Sequence, residues 1–197
     1  MKVITIVGKN SLRQNTYLVE NGNSAILIDC GASLKDIEKE YKKETGKSNL
    51  PQISAILLTH THFDHTCFLK EIQPTKNIPV YTIKNGSSLI SSPYHNASQM
   101  LGNPLDFKPT NIIEIKDETP LSIGDIKVTP YFTPGHTSCS ISYLIEDFLF
   151  TGDTLFYLAV GRTDLPSGNA DDLNKSLKKI KNIPWTLCYP GHGIPFN

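Results

Sequence analysis

Residues 53–59 read ISAILLT, and HTHFDH follows at once. This nearly continuous apolar run, entered through Pro51, predicts a strand over residues 53–59 that is buried on both faces. A polar turn is the ordinary sequel to such a strand. Here the sequel holds three of the six histidines of the chain, His60, His62 and His65, with Asp64 between them. Imidazoles and a carboxylate crowded onto a loop at the end of a rigid strand are the donors and the placement expected of a metal site.

The rest of the chain predicts a scaffold around that box. Runs of β-branched and apolar residues give strands at 3–7, 16–20 and 25–29, separated by turn chemistry such as Asn21-Gly22-Asn23. Ser33 as N-cap, Asp36 three positions on, the stripe Leu34, Ile37 and Tyr41, and Gly46 at the far end predict a helix. Phe68, Leu69 and Ile72 predict a short helix leaving the box, and residues 79–83 another strand. Residues 85–110 are rich in Gly, Ser, Pro and Asn and read as a loop or short-helix insertion forming one wall of a site. Strands follow at 112–115, 126–132, 141–146, 148–151 and 186–189. A helix is expected over 171–181, with Asp171 and Asp172 at its positive end and lysines at the other. This order of elements predicts one α+β domain over residues 1–197, two stacked sheets with helices outside.

Three more predicted strands end as the first one does, in Gly or Pro followed by a potential ligand. They are Phe132-Thr133-Pro134-Gly135-His136, Phe150-Thr151-Gly152-Asp153 and Tyr189-Pro190-Gly191-His192. Glycine beside a ligand lets the backbone turn tightly and approach closely. Three histidines on one metal, Asp and His on a second, and a shared carboxylate would use His60, His62, Asp64, His65, His136, Asp153 and His192. Two divalent metals about 3.5–4 Å apart can share one water, lower its pKa towards about 7 and polarise a carbonyl or phosphoryl group. No serine or cysteine nucleophile is then required. Zinc is the expected metal, with iron and manganese as alternatives. His95 lacks such a neighbourhood and is expected on the surface or a pocket wall. Cys67 and Cys139 lie near ligand segments and are expected to be packing residues.

Composition removes other classes. Nineteen basic residues balance nineteen acidic ones, so no global field draws nucleic acid or an anionic membrane. No run approaches the length of a membrane span, and MKVITIVGKN reads as a first strand rather than a signal peptide. Cys30, Cys67, Cys139 and Cys188 are widely spaced with no C-x-x-C pair, the usage of reduced thiols in the cytoplasm. Arg13 and Arg162 are the two arginines. A guanidinium fork binds carboxylates bidentately, so Arg162 is the candidate substrate-binding residue, with a structural ion pair as the alternative.

The pattern His60-x-His62-x-Asp64-His65, then His136, Asp153 and His192, resembles the signature of the metallo-β-lactamase superfamily over nearly the whole chain. The resemblance implies an αββα sandwich of two mixed sheets, with metals at one edge between them. It implies His60, His62 and His136 on a first metal, Asp64, His65 and His192 on a second, and Asp153 bridging. Gly152-Asp153-Thr154-Leu155-Phe156, Gly161-Arg162-Thr163-Asp164-Leu165-Pro166, and Asn96-Ala97-Ser98 with Gly102-x-Pro104 resemble short bacterial glyoxalase II-like hydrolases. That implies hydrolysis of a thioester such as S-D-lactoylglutathione to D-lactate and glutathione, by a metal-bridging hydroxide that Asp64 orients. True β-lactamases of this fold commonly carry Cys where this chain has Asp153, which argues against that activity. Full-length glyoxalase II has an added helical domain, not expected here because the sequence ends five residues after His192.

Two other readings share the fold. Persulfide dioxygenases have the Gly-Arg-Thr-Asp run and are similar in holding one iron on residues matching His60, His136 and Asp153. A phosphodiesterase or ribonuclease is disfavoured by the neutral charge. The box ends in Thr66-Cys67-Phe68, where relatives usually have small or aliphatic residues and a glycine. That tail is expected to reshape the floor of the site.

Overall fold

A computed structural model describes residues 1–9, 12–102 and 104–197. The first half runs β1 (Lys2–Val7), β2 (Asn15–Asn21), β3 (Ser24–Ile28), α1 (Leu34–Thr45) and β4 (Ile53–Leu57). Two short helices follow, α2 (Phe63–Thr66) and α3 (Leu69–Lys76), then β5 (Val80–Ile83), α4 (Gly86–Ile90) and β6 (Ile112–Ile115). The second half runs β7 (Leu121–Ile123), β8 (Ile126–Phe132), β9 (Ile141–Ile145), β10 (Phe148–Gly152), β11 (Leu155–Phe156) and β12 (Ala159–Val160). It closes with α5 (Ala170–Ile180) and β13 (Leu187–Pro190).

Strands β1 to β6 form one sheet in sequence order, antiparallel from β1 to β3 and parallel from β3 to β6. The second sheet has the order β13-β10-β9-β8-β7, with β10 and β13 parallel and the other pairs antiparallel. Both sheets are mixed, as expected.

Strand periodicity explains how the layers are glued. Successive side chains of a strand face opposite sides. In β2 to β4, Tyr17, Val19, Ile26, Ile28, Ala55 and Leu57 join Val128, Ile141, Tyr143 and Phe150 of the second sheet in one buried cluster. The alternate residues Leu18, Ala25, Leu27 and Ile56 pack with Ile37 and Tyr41 of α1 and Leu69 and Ile72 of α3 in another. A third cluster joins Leu149 of β10 to Ile180 of α5. Each buried Leu, Ile or Phe is worth roughly 1.5–3 kcal/mol. The central strands are apolar on both faces because both faces are covered, which gives the αββα sandwich.

The helix ends follow capping chemistry. The Ser33 hydroxyl accepts the Asp36 N–H, and Gly46 closes α1 in the left-handed region at φ 73°. Asn169 caps α5 in the same manner by accepting the Asp172 N–H. Three details differ from the sequence reading. β7, β11 and β12 are two or three residues long, too short for a periodic pattern to register. The box itself contains a helical turn, α2, ahead of the helix expected after it. β4 stops at Leu57, because the Thr59 N–H turns to the Asp29 carboxylate instead of a neighbouring strand. Among the described residues no helix is long and apolar enough to cross a membrane.

Candidate metal centre

Four strand ends meet at one edge of the sandwich. β10 is parallel to β13, and β8 and β10 are each antiparallel to β9. All three therefore finish at the same edge, delivering His136, Asp153 and His192. β4 brings His60 from the other sheet, and the two sheets are stitched there by the Ile141 N–H donating to Thr59 O at 2.7 Å. The Tyr143 hydroxyl donates to Leu58 O at 2.8 Å beside it. Across the same edge the Tyr17 hydroxyl and Asn15 Nδ2 both donate to Pro190 O, at 2.6 and 3.0 Å, and pin the end of β13.

All seven residues expected as ligands come together. His60, His62 and His136 form one compact group, Asp64, His65 and His192 another, and His60, His65 and Asp153 a third between them. Within each, one donor atom per residue lies within 4.8 Å of the others. His62 Nδ1 and His136 Nε2 converge at 2.9 Å. Asp153 touches both sides: Oδ1 is 3.2 Å from His65 Nε2, and Oδ2 is 3.6 Å from His136 Nε2 and 3.4 Å from His192 Nε2. Asp64 Oδ2 lies 3.3 Å from His192 Nε2.

Ring tautomers are set from outside this cluster. His136 Nδ1 donates to Arg162 O at 2.8 Å, His192 Nδ1 to Leu12 O at 2.9 Å and His65 Nδ1 to Asp29 Oδ2 at 2.7 Å. Carbonyl and carboxylate oxygens only accept, so each Nδ1 carries a hydrogen and each Nε2 is turned inward. The Nε2 atoms of His65 and His192 face the oxygens of Asp64 and Asp153, a contact that takes a proton or a metal cation between nitrogen and oxygen.

The electrostatics agree. Burial opposes ionisation of Asp64 and Asp153, yet His65 and His192 hold both below the usual carboxylate range. Burial likewise opposes charge on His192, but Asp153 and Asp64 lift its ring to about 9. Burial, reinforced by the neighbouring His136, drops His62 to about 3, and His60 also falls well below its ordinary value. His60 and His62 are thus neutral imidazoles, whereas the carboxylates around His192 draw positive charge. His60 Nε2, His62 Nε2, His65 Nε2 and Asp153 Oδ1 are buried with no hydrogen-bond partner among the described residues. Orphaned buried polar atoms are costly, and four at one point, all nitrogen or oxygen, fit divalent metal ions.

Asp29 is the residue that sequence reading left at the end of a strand. It sits at φ 61°, almost fully buried, and its carboxylate accepts from Thr59 N (2.7 Å), Thr59 Oγ1 (2.8 Å) and His65 Nδ1. Thr59 Oγ1 in turn lies 3.2 Å from His60 Nδ1. One carboxylate therefore orients two rings. The available signal was an acidic residue ending an otherwise apolar strand, which equally describes a turn.

Glycines make the close approach possible. Gly152 has φ 51°, and a Cβ on Gly191 would strike Asp153 Oδ1 and come within 2.7 Å of His65 Cε1. Gly191→Ala is expected to lose at least one metal equivalent and about 1–3 kcal/mol of stability, the usual range for overpacking. Elemental analysis and thermal melting check it; retention of full metal content would show that the cradle yields.

A cavity of about 260 Å³ opens on the cluster, lined by Leu12, His62, Phe63, Asp64, Ala97, Met100, His136, Asp153, Arg162, Leu165 and His192. Ala97 and Met100 come from the 85–110 insertion, which forms a wall as expected. Its Asn96-Ala97-Ser98 motif is what fixes that wall. Asn96 Nδ2 donates to Ile90 O and Leu105 O, Ser98 Oγ accepts from Leu105 N, and Asn96 O accepts from Phe63 N. Arg162 lines the cavity and is at the same time paired bidentately with Asp164. His95 stands apart from the ligand groups, its Nδ1 2.9 Å from Ser92 Oγ.

The expectation that Thr66-Cys67-Phe68 reshapes the floor is corrected: none of the three lines the cavity. Thr66 Oγ1 donates back to His62 O, Cys67 Sγ lies 3.8 Å from Asp64 O, and Phe68 packs into the core beneath α1. The helical turn of α2 points the tail inward. Cys139 is buried between the hydroxyls of Thr61 and Thr137, each 3.3 Å from its sulfur.

The family profile described as Metallo-beta-lactamase superfamily matches residues 11–192. The chain belongs to the metallo-β-lactamase superfamily. Its superfamily relatives include the probable metallo-hydrolase YqgX of Bacillus subtilis (strain 168), 36% identical over 187 residues, covering 92% of this chain and 86% of that protein. Among solved structures of the superfamily, the BLEG-1 B3 metallo-beta-lactamase is similar at a TM-score of 0.84 and 30% identity, covering 99% of this chain and 93% of that one. TTHA1623 in a di-iron-bound form is similar at a TM-score of 0.80 and 29% identity, covering 97% and 93%.

Proposed function

We propose that the chain is a binuclear metallohydrolase that cleaves a thioester, with S-D-lactoylglutathione as lead substrate. The observation that carries this reading is the pair of complete ligand triads, His60-His62-His136 and Asp64-His65-His192, with Asp153 in contact with both at the base of a cavity. Divalent metals held there supply a low-pKa water and Lewis-acid polarisation of a carbonyl. Zinc is the proposed metal; the di-iron form of TTHA1623 makes iron the alternative to test.

The chain's own residues supply position. The three Nδ1 hydrogen bonds lock the rings against rotation, so the donor atoms are preorganised. Asp64 lines the cavity and is held anionic, placed to orient a water by accepting its hydrogen bond. Phe63, Ala97 and Leu165, with Leu12 and Met100 at the rim, give the cavity apolar walls. The resemblance of the Gly152–Phe156 and Gly161–Pro166 runs to glyoxalase II-like proteins supports a thioester over a phosphate ester. The four free thiols support a reducing, cytoplasmic setting.

The test is hydrolysis of S-D-lactoylglutathione and simpler thioesters by protein loaded with zinc, iron or manganese, with chelation abolishing turnover. Two metals per chain and no oxygen uptake are expected. One iron with oxygen consumption on glutathione persulfide would favour the dioxygenase instead, and the second triad would then have no role. A β-lactam panel belongs in the same experiment, since a B3 metallo-beta-lactamase is among the similar structures. Absence of turnover on every thioester by metal-loaded protein would sink the proposal.

A further inference from the structure

Arg162 is the one permanent cation among the described residues that line the cavity. Its backbone is fixed there by the hydrogen bond from His136 Nδ1 to its carbonyl. Its side chain is committed elsewhere: Nε donates to Asp164 Oδ1 at 2.6 Å and Nη2 to Asp164 Oδ2 at 2.7 Å. That pair of parallel donors is the edge of a guanidinium that grips a carboxylate best. Asp164 thus occupies the position a substrate carboxylate would take. The hydrogen bonds from Arg162 pull the Asp164 carboxyl down to about 2, so both partners are charged at neutral pH. The remaining lining side chains outside the ligand set are apolar, and Leu12 and Met100 stand 40% and 65% exposed at the rim, where a substrate arm would lie against them.

We propose that Asp164 is a specificity-determining residue: by filling the fork of Arg162 it cancels the attraction of the cavity mouth for substrate carboxylates, leaving selection to apolar contact. The inference rests on the thioester reading above and refines it. Glutathione carries carboxylates that must compete with Asp164 for Arg162, whereas a thioester of an uncharged aromatic thiol has no such competition and gains from Leu12 and Met100. Arg162 and Asp164 are both more than half exposed, 61% and 67%, so solvent and salt screen the effect to roughly twofold to fivefold.

The experiment compares S-D-lactoylglutathione with phenyl thioacetate in wild type, Asp164→Asn and the double variant Arg162→Gln/Asp164→Asn, all metal-loaded. The ratio of kcat/KM for the glutathione ester over the neutral ester is expected to rise roughly twofold to fivefold in Asp164→Asn, through KM. The double variant is expected to return it to the wild-type level or below. An unchanged ratio, or an equal rise in the double variant, overturns the proposal. Calorimetry with S-methylglutathione gives a second readout: tighter binding to Asp164→Asn than to wild type is expected, and equal binding overturns it. Should wild type hydrolyse neither ester, the thioester reading fails, while the calorimetric comparison still decides the role of Asp164.

Discussion

Asp153→Asn is expected to reduce turnover at least 10³-fold and to lower metal content from two equivalents to one or fewer. The substitution keeps shape and volume and removes one thing, the charge shared between the triads. Asp153 is the group in contact with His65, His136 and His192 at once. Its loss leaves Asp64 as the single carboxylate among the seven expected ligands, and an amide nitrogen would confront an Nε2 or the ion itself. Metal charge at a reacting carbonyl is worth several kcal/mol, and about 4 kcal/mol is a factor of about 10³ in rate. Elemental analysis and initial rates at saturating metal decide the matter. Near-normal turnover with two metals retained would mean that Asp153 does not bridge.

Asp29→Asn comes second, although Asp29 touches no expected metal position. Its carboxylate receives three hydrogen bonds from Thr59 and His65 at 2.7–2.8 Å in a site closed to water. An asparagine offers one oxygen and one NH2 group, so at least one donor meets another donor and stays unsatisfied. That costs about 1–3 kcal/mol, and loss of a ligand's orienting partner typically costs 10–100-fold in metal affinity or activity. Asparagine tolerates the left-handed backbone that Asp29 occupies, so the loss reports the hydrogen bonds rather than strain. The melting temperature of metal-free protein and a competitive metal titration measure the two parts. Wild-type metal affinity in the variant would refute the orienting role.

The candidate ligands were legible because five of the six histidines cluster in turns after predicted strands, and glycine beside several of them marks close approach. His60, His62, His65, His136 and His192 each follow an apolar run or a Pro-Gly turn, a signal carried within a few residues. The sandwich was legible for the same local reason: β2 to β4 carry apolar residues on both faces because each face has a cover. Asp29 gave no such signal. Nor could Thr66-Cys67-Phe68 be assigned a direction, since the helical turn of α2 that swings it away from the cavity is four residues long.

The sequence by itself determined which donor atoms are available, that they sit on strand ends, and that two doubly covered sheets hold them. These follow from side-chain chemistry and from a period of two, both readable locally. Only the tertiary structure decided how the donors meet. His136 is aimed by the carbonyl of Arg162, His192 by that of Leu12 and His65 by Asp29, partners 26, 180 and 36 positions away. It also decided that the insertion's Ala97 and Met100 share one cavity with Arg162 and Leu165. Pairings of this kind depend on how two sheets stack and where their edges align, which no local pattern encodes.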